Sequence, residues 1–267
     1  TDKQDERLNF AVARVTESHL PLIYVNLVGG QDELVFDGGS FVLSADRNLC
    51  TKARAFEEEL LITEWRRVSD AWVCGGGPIK SALAILDATY RSLVLGVRDY
   101  VDKNGFPGVL IGLSGGVDSA LTAAVAVDAL GTERVHCVMM PSPYTSQESL
   151  DDAVECSQLL GVKLESVDIG PAMVVFEQML APHFNDQIVD TTEENVQART
   201  RGMILMALSN KFGYMVLSTG NKSEMSVGYA TLYGDMCGGY AALKDVYKTT
   251  VFELCHLRNK KRPSGCF

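Results

Sequence analysis

The chain has 267 residues, with 34 acidic against 24 basic side chains and a net charge of −10, a balance that excludes a basic nucleic-acid-binding surface. Its 46% apolar content supplies a core for one or two domains, and no apolar run reaches membrane-spanning length, so neither a nucleic acid nor a membrane is an expected partner. Seven scattered cysteines without a Cys-x-x-Cys pair predict reduced thiols in a cytoplasmic setting, and four dispersed histidines offer no zinc-ligand spacing.

Residues up to about Glu64 read as strands and turns. Leu22–Val28 has the composition of a buried strand, and Glu33–Phe36 and Ser40–Leu43 flank Asp37-Gly38-Gly39, a hairpin signal. Glu64–Pro78, with its Gly75-Gly76-Gly77-Pro78 breaker cluster, reads as a linker or as a structured loop. From Ile79 the period changes: Ile79, Leu83, Leu86, Tyr90, Leu93, Val97 and Tyr100 mark one helix face. Strands and helices then alternate. Strand Val109–Leu113 precedes a helix over Asp118–Leu130, and strand Val135–Met140 precedes a helix opened by Thr145-x-x-Glu148 and ended near Gly161. Strand Lys163–Ile169 leads to a helical stretch near Ala172–Leu180. A capping box at Thr191-x-x-Glu194 opens a helix ending near Gly213, and strand Tyr214–Ser218 follows. This alternation predicts a doubly wound parallel sheet, with ligands beyond the C-terminal strand ends, where Gly112–Ser119 and Thr219–Glu224 both begin.

The loop Gly112-Leu113-Ser114-Gly115-Gly116-Val117-Asp118-Ser119 joins a strand to a helix N-terminus. Exposed N–H groups and the helix dipole favour an anion there, the glycines permit close approach, and the serines add hydroxyl donors. A phosphate or pyrophosphate is the expected guest. No lysine follows the glycines, so this is not a Walker A loop. Gly112-Leu113-Ser114-Gly115-Gly116 also matches the Gly-x-Ser-x-Gly nucleophile elbow of hydrolases, with His136, His183 and His256 available as bases. Asp118 beside bound polyphosphate calls for a magnesium ion between them; alone, it also suits a helix N-terminus.

Ser114–Ser119 resembles the pyrophosphate loop of the N-type ATP pyrophosphatases, which include NAD, GMP and asparagine synthetases. Three further blocks narrow the resemblance: Glu193-Glu194-Asn195-Val196-Gln197-Ala198-Arg199-Thr200-Arg201, Thr219-Gly220-Asn221-Lys222-Ser223-Glu224, and Val227 through Asp235. In this order they look like the synthetase domain of NAD synthetases, from about Ile79 to about Val251. Leu20–Glu33 resembles the late part of the nitrilase-type glutaminase domain fused ahead of glutamine-dependent NAD synthetases. The implied organisation is a glutaminase fragment over residues 1–64, a linker over 65–78 and a C-terminally truncated synthetase domain over 79–267. The implied fold is α/β, an adenine nucleotide alpha-hydrolase-like doubly wound sheet preceded by a partial nitrilase-like α/β sandwich.

The resemblance implies a ligase that uses ATP and Mg2+ to amidate deamido-NAD to NAD through an adenylated intermediate, releasing AMP and pyrophosphate, with ammonia delivered from glutamine. It places Gly112, Leu113, Ser114, Gly115, Gly116, Val117, Asp118, Ser119, Thr219 and Lys248 on ATP, and Asp118 and Glu224 on the metal. Asn195, Arg199 and Glu224 fall on deamido-NAD, and Lys3 on glutamine. Homo-oligomers are common in the family. Leu232 stands where ammonia-dependent relatives have lysine, and Gly239 where they have aspartate, as in the glutamine-dependent branch. The glutaminase cysteine falls upstream of the aligned portion, and the family draws another dinucleotide lysine from a segment past the divergent end Arg258–Phe267. The expectation is therefore ATP-Mg binding with poor turnover that uses free ammonia. A GMP-synthetase relative, an inactive remnant, and a partner patch at Lys260-Lys261-Arg262 are the competing readings.

Overall fold

The computed structural model describes residues 3–184, 187–188 and 190–260; of the divergent end, Lys261, Arg262 and the residues after them lie outside the described residues. The chain forms two compact units, one running to Asp99 and one starting at Tyr100.

The first unit contains, in order, α1 (Lys3–Ser18), β1 (Leu22–Tyr24), β2 (Val28–Gln31), β3 (Leu34–Asp37), β4 (Phe41–Leu43), β5 (Leu49–Lys52), β6 (Trp65–Val68), β7 (Ala71–Cys74) and all but the last turn of α2 (Ile85–Lys103). Sequence reasoning missed α1. Its apolar residues Leu8, Ala11, Val12 and Val15 recur at helical spacing and pack on Leu22, Phe41, Leu43 and Leu49, from the antiparallel sheet β1-β4-β5. The expected buried strand Leu22–Val28 is broken: Val25 and Leu27 are exposed, and β1 and β2 join different sheets. The expected hairpin at Asp37-Gly38-Gly39 does not form. β3 pairs with β2 across a turn at Asp32-Glu33, whereas β4 pairs with β1 and β5. The two left-handed glycines instead pass the chain from one sheet to another.

Over 65–74 the segment read as a linker folds into the β6–β7 hairpin. The glycine cluster after it is pinned to β5: Gly77 donates to the Cys50 carbonyl at 3.0 Å, and Thr51 Oγ1 donates to the Pro78 carbonyl at 2.7 Å. The predicted helix from Ile79 begins later, as α2 at Ile85.

The second unit contains β8 (Val109–Gly112), α3 (Val117–Leu130), β9 (Val135–Met139), α4 (Gln147–Leu160), β10 (Lys163–Ser166), α5 (Gly170–Phe184), α6 (Thr191–Phe212), β11 (Met215–Ser218), α7 (Lys222–Val227), β12 (Tyr240–Ala241) and α8 (Lys248–Lys260). Five strands form one parallel sheet in the order β10-β9-β8-β11-β12. Leu110, Val138 and Val216 share a cluster with Leu205 of α6. Side chains alternate along a strand, so buried Val109, Ile111, Cys137 and Leu217 face the opposite layer, where α3 packs on β8 and β9. Burial pushes the Cys137 thiol up to about 12, with Cys156 adding to it, which makes it a core thiol rather than a reactive one.

Both predicted N-caps shift by one residue, and only the second forms a capping box. Ser146, not Thr145, caps α4, accepting from the Ser149 amide, while Thr145 Oγ1 accepts from the Ser142 amide. Asp190 caps α6 with Glu193 as its partner. The strand order reverses direction between β8 and β11, and at such a reversal the loops leaving the two strand ends part and open a crevice.

Candidate functional site

At the end of β8 the backbone turns at Gly115, with φ +81°, before α3 begins. A Cβ there would lie 2.3 Å from the Ser149 carbonyl oxygen of α4, so this loop fits only because residue 115 has no side chain. The serines hold the turn from within. Ser119 Oγ donates to the Gly116 carbonyl at 2.9 Å and accepts from the Ser114 amide at 3.2 Å, and Ser114 Oγ accepts from the Gly116 amide at 3.2 Å. The N-cap of α3, Gly116, contributes no side-chain cap. The first-turn amides of α3 thus keep their donor capacity for an external acceptor, reinforced by the dipole of a 14-residue helix.

The end of β11 supplies the other wall. Asn221 caps α7, its Oδ1 accepting from the Glu224 amide and its own amide donating to Glu224 Oε2, both at 3.1 Å. Its Nδ2 reaches back to Asp118 Oδ1 at 3.0 Å, and the Lys248 ammonium, from the first turn of α8, pairs with Asp118 Oδ2. Asp118, Ser119, Thr219 and Glu224 line one cavity of about 210 Å³. Among the described residues no three His, Cys, Asp or Glu side chains gather to cage a metal. Two carboxylates on a cleft that also offers an anion cradle suit magnesium, which takes one or two carboxylates together with phosphate oxygens and water.

A larger neighbouring cavity of about 360 Å³ opens between Gly112–Ser114, Met140 and one face of α6. Ser114, Ser218, Thr219 and Asp235 line both cavities, so the two form a continuous cleft across the strand ends. Of the sequence-predicted residues, Gly112 and Leu113 line the larger cavity, and Gly116, Asp118, Ser119 and Glu224 the smaller. Gly115 and Val117 shape the loop from behind, and Lys248 joins through Asp118.

Asn195 and Arg199 lie outside both linings. They hold the 231–232 loop instead: Thr231 Oγ1 donates to Asn195 Oδ1 at 2.9 Å, and Arg199 Nε donates to the Leu232 carbonyl at 3.2 Å. The cleft-facing residues of α6 are Ala198, Arg201, Gly202 and Leu205, a strip at helical spacing beside Asn195 and Arg199. Arg201 was not predicted as a site residue. Its Nε donates to the Met140 carbonyl at 3.1 Å, and burial draws its guanidinium below its ordinary value, leaving a charged wall for an anionic or polar ligand. Lys3 is exposed at the start of α1, in the first unit.

The nucleophile-elbow reading fails on geometry. Ser114 Oγ lies 3.1 Å from Ser119 Oγ, and no histidine lines either cavity. His136 sits near the opposite end of β9, stacked on Tyr214 at 4.2 Å. A serine without an imidazole base lacks the activation that the elbow needs.

A family model described as NAD synthase matches residues 89–264. The glutamine-dependent NAD(+) synthetase of Rhodobacter capsulatus is 51% identical over 257 residues, 96% of this chain and 47% of that protein. The chain belongs to the NAD synthase family. It spans about half the length of the curated NAD synthases it matches. The glutamine-dependent NAD+ synthetase of Acinetobacter baumannii, solved with ADP, superposes with a TM-score of 0.91 at 50% identity, over 98% of this chain and 50% of that one. The NH3-dependent NAD synthetase of Campylobacter jejuni gives a TM-score of 0.61 at 26% identity, over 67% of this chain and 75% of that one.

Proposed function

We propose that this NAD synthase chain carries the ATP-dependent amidation of deamido-NAD to NAD. The observation that carries the reading is the meeting of Asp118, at the start of α3, with Asn221 and Glu224, at the start of α7, and with Lys248, at the start of α8, beside an uncapped helix N-terminus. A carboxylate does not accept ammonia directly, because its leaving group is oxide. Attack of the nicotinate carboxylate on the α-phosphorus of ATP expels pyrophosphate and gives an acyl-adenylate, from which ammonia displaces AMP.

The cleft suits that chemistry through positioning and electrostatics. The amides and hydroxyls of Gly112–Ser119 receive the charge that accumulates on the departing pyrophosphate. Thr219 holds the nucleotide from the β11 side. Asp118 and Glu224 would hold magnesium, which when bound offsets the repulsion between carboxylates and phosphates. Lys248 is paired with Asp118 in the free chain, and arriving phosphate offers its ammonium a second anion. Asn195 and Arg199 brace the 231–232 loop and present their remaining polar atoms to the dinucleotide.

Residues 1–64 belong to a glutaminase domain of nitrilase type, with Lys3 near glutamine, and ammonia reaches the synthetase cleft from that domain in the whole protein. Two features support further readings. Val174, Val175 and Met179 of α5 and Met203 of α6 are exposed apolar side chains, which favours a homo-oligomer that covers some of them. Six described cysteines are free, which suits a reducing cytoplasm. Among the described residues no helix is long and apolar enough to cross a membrane.

The test is product identity. The chain incubated with ATP, magnesium, ammonium and deamido-NAD is expected to release AMP and pyrophosphate in step with NAD. Formation of ADP and phosphate, or turnover with xanthosine monophosphate in place of deamido-NAD, contradicts it.

A further inference from the structure

Asn221 is fully buried, yet every polar atom of its side chain is committed to a carboxylate-bearing residue of the cleft. We infer that Asn221 is the positioning residue that locks Asp118 and Glu224 into one metal-ready pair. The inference rests on the proposed function.

An ordinary helix cap needs only an acceptor, and serine, threonine or aspartate supplies it as well as asparagine does. Asparagine adds a donor on the same rigid amide plane. Here the acceptor Oδ1 takes the Glu224 amide at 3.1 Å, and the donor Nδ2 gives to Asp118 Oδ1 at 3.0 Å. The backbone amide of the same residue holds Glu224 Oε2 at 3.1 Å. One residue thereby orients a carboxylate from the first turn of α3 and another from the first turn of α7. Glu224 Oε1 accepts no hydrogen bond among the described residues, and the second oxygen of Asp118 faces only the exchangeable Lys248 ammonium. Each acid therefore has one oxygen held by Asn221; the other is open in Glu224 and paired with Lys248 in Asp118. Unconstrained, two anions flanking one cavity repel each other and turn apart; a buried amide between them removes that freedom before the ligand arrives.

The residue type is specific. Serine at 221 keeps the cap but is too short to reach Asp118. Threonine also keeps the cap and is too short to reach Asp118, while its methyl fills more of the buried space. Asn221→Ser and Asn221→Thr therefore separate capping from coupling. The wild-type chain and both variants are titrated with Mn2+ in the presence of α,β-methylene-ATP. Bound metal is read by electron paramagnetic resonance, and folding by circular dichroism melting.

In the ternary mixture, Asn221→Ser and Asn221→Thr are each expected to weaken Mn2+ at least tenfold, with little change in metal-free nucleotide binding. In turnover assays the midpoint for Mg2+ rises while KM for ATP at saturating magnesium changes little. If both variants fold and bind Mn2+ as the wild type does, the assignment of Asn221 is overturned and the proposed function stands. If the wild type binds no metal with the nucleotide, the proposed function falls and this inference with it. If Asn221→Ser unfolds, the same titration on Asn221→Thr, which retains the cap and fills more of the site, decides.

Discussion

Gly115→Ala abolishes nucleotide binding and destabilises the second unit by roughly 2–4 kcal/mol, the sum expected for left-handed strain in a residue with a Cβ and for overpacking against fixed atoms. The residue sits at φ +81°, and the new Cβ would lie 2.3 Å from the Ser149 carbonyl oxygen and 2.9 Å from its carbon and Cα. Those atoms are backbone in the first turn of α4, so no side-chain rotation relieves the clash. Either the loop retreats from α4 or α4 moves. A retreating loop loses the Ser114, Gly116 and Ser119 hydrogen bonds that aim the amides of α3. Gly116→Ala is the internal control: its φ is −79°, and its Cβ would meet only the Ser114 hydroxyl, at 3.3 Å. Urea unfolding and ATP titration of the pair should show a large loss at 115 and a change of no more than a few-fold at 116. Equal losses would mean that the loop tolerates no side chain anywhere, and that its register against α4 is not the cause.

Arg258→Met lowers stability by about 3–5 kcal/mol, the range for removing one member of a buried ion pair. Asp128 lies in the last turn of α3 and is fully buried, and the guanidinium from α8 grips it with both arms, at 2.6 and 2.9 Å. Taking away the cation removes two charge-assisted hydrogen bonds from a carboxylate on a helix whose residues from Leu121 to Leu130 are all buried. The double variant Asp128→Leu, Arg258→Met should regain most of the loss, because two apolar side chains of similar volume carry no desolvation cost. A single variant as stable as the wild type would show that Asp128 finds another partner. α3 carries the nucleotide loop at its start and this pair near its end, so the pair bears on the cleft only through the stability of that helix.

The parallel sheet, the loop at Gly112–Ser119 and the second loop at Thr219–Glu224 were legible because each rests on a local signal: an apolar run, glycines at a turn, or a cap residue. The convergence of Asp118 and Glu224 followed from topology, since both loops leave C-terminal strand ends. Asn221 was not legible as a hub, because its second role depends on an atom contributed 103 positions away. Arg201 was within reach. It lies at helical spacing from Ala198 and Leu205, and the choice of Asn195 and Arg199 followed motif similarity rather than the helix face. In the first unit, α1 carried a readable stripe at Leu8, Ala11, Val12 and Val15, hidden by the many charges between them. The hairpin was misplaced because Asp37-Gly38-Gly39 is a strong turn signal whatever strands flank it, and pairing is decided by partners remote in sequence.

The central claim is that the turn after β8 cradles polyphosphate while Asp118 and Glu224 face it across one cleft. A crystal structure of the chain with magnesium and α,β-methylene-ATP tests it most directly. The account predicts phosphate oxygens within hydrogen-bonding distance of the amides between Ser114 and Ser119. It also predicts a metal touching both carboxylates, and Lys248 shifted from Asp118 onto phosphate. Triphosphate bound away from that turn, or a metal held by neither acid, would contradict it.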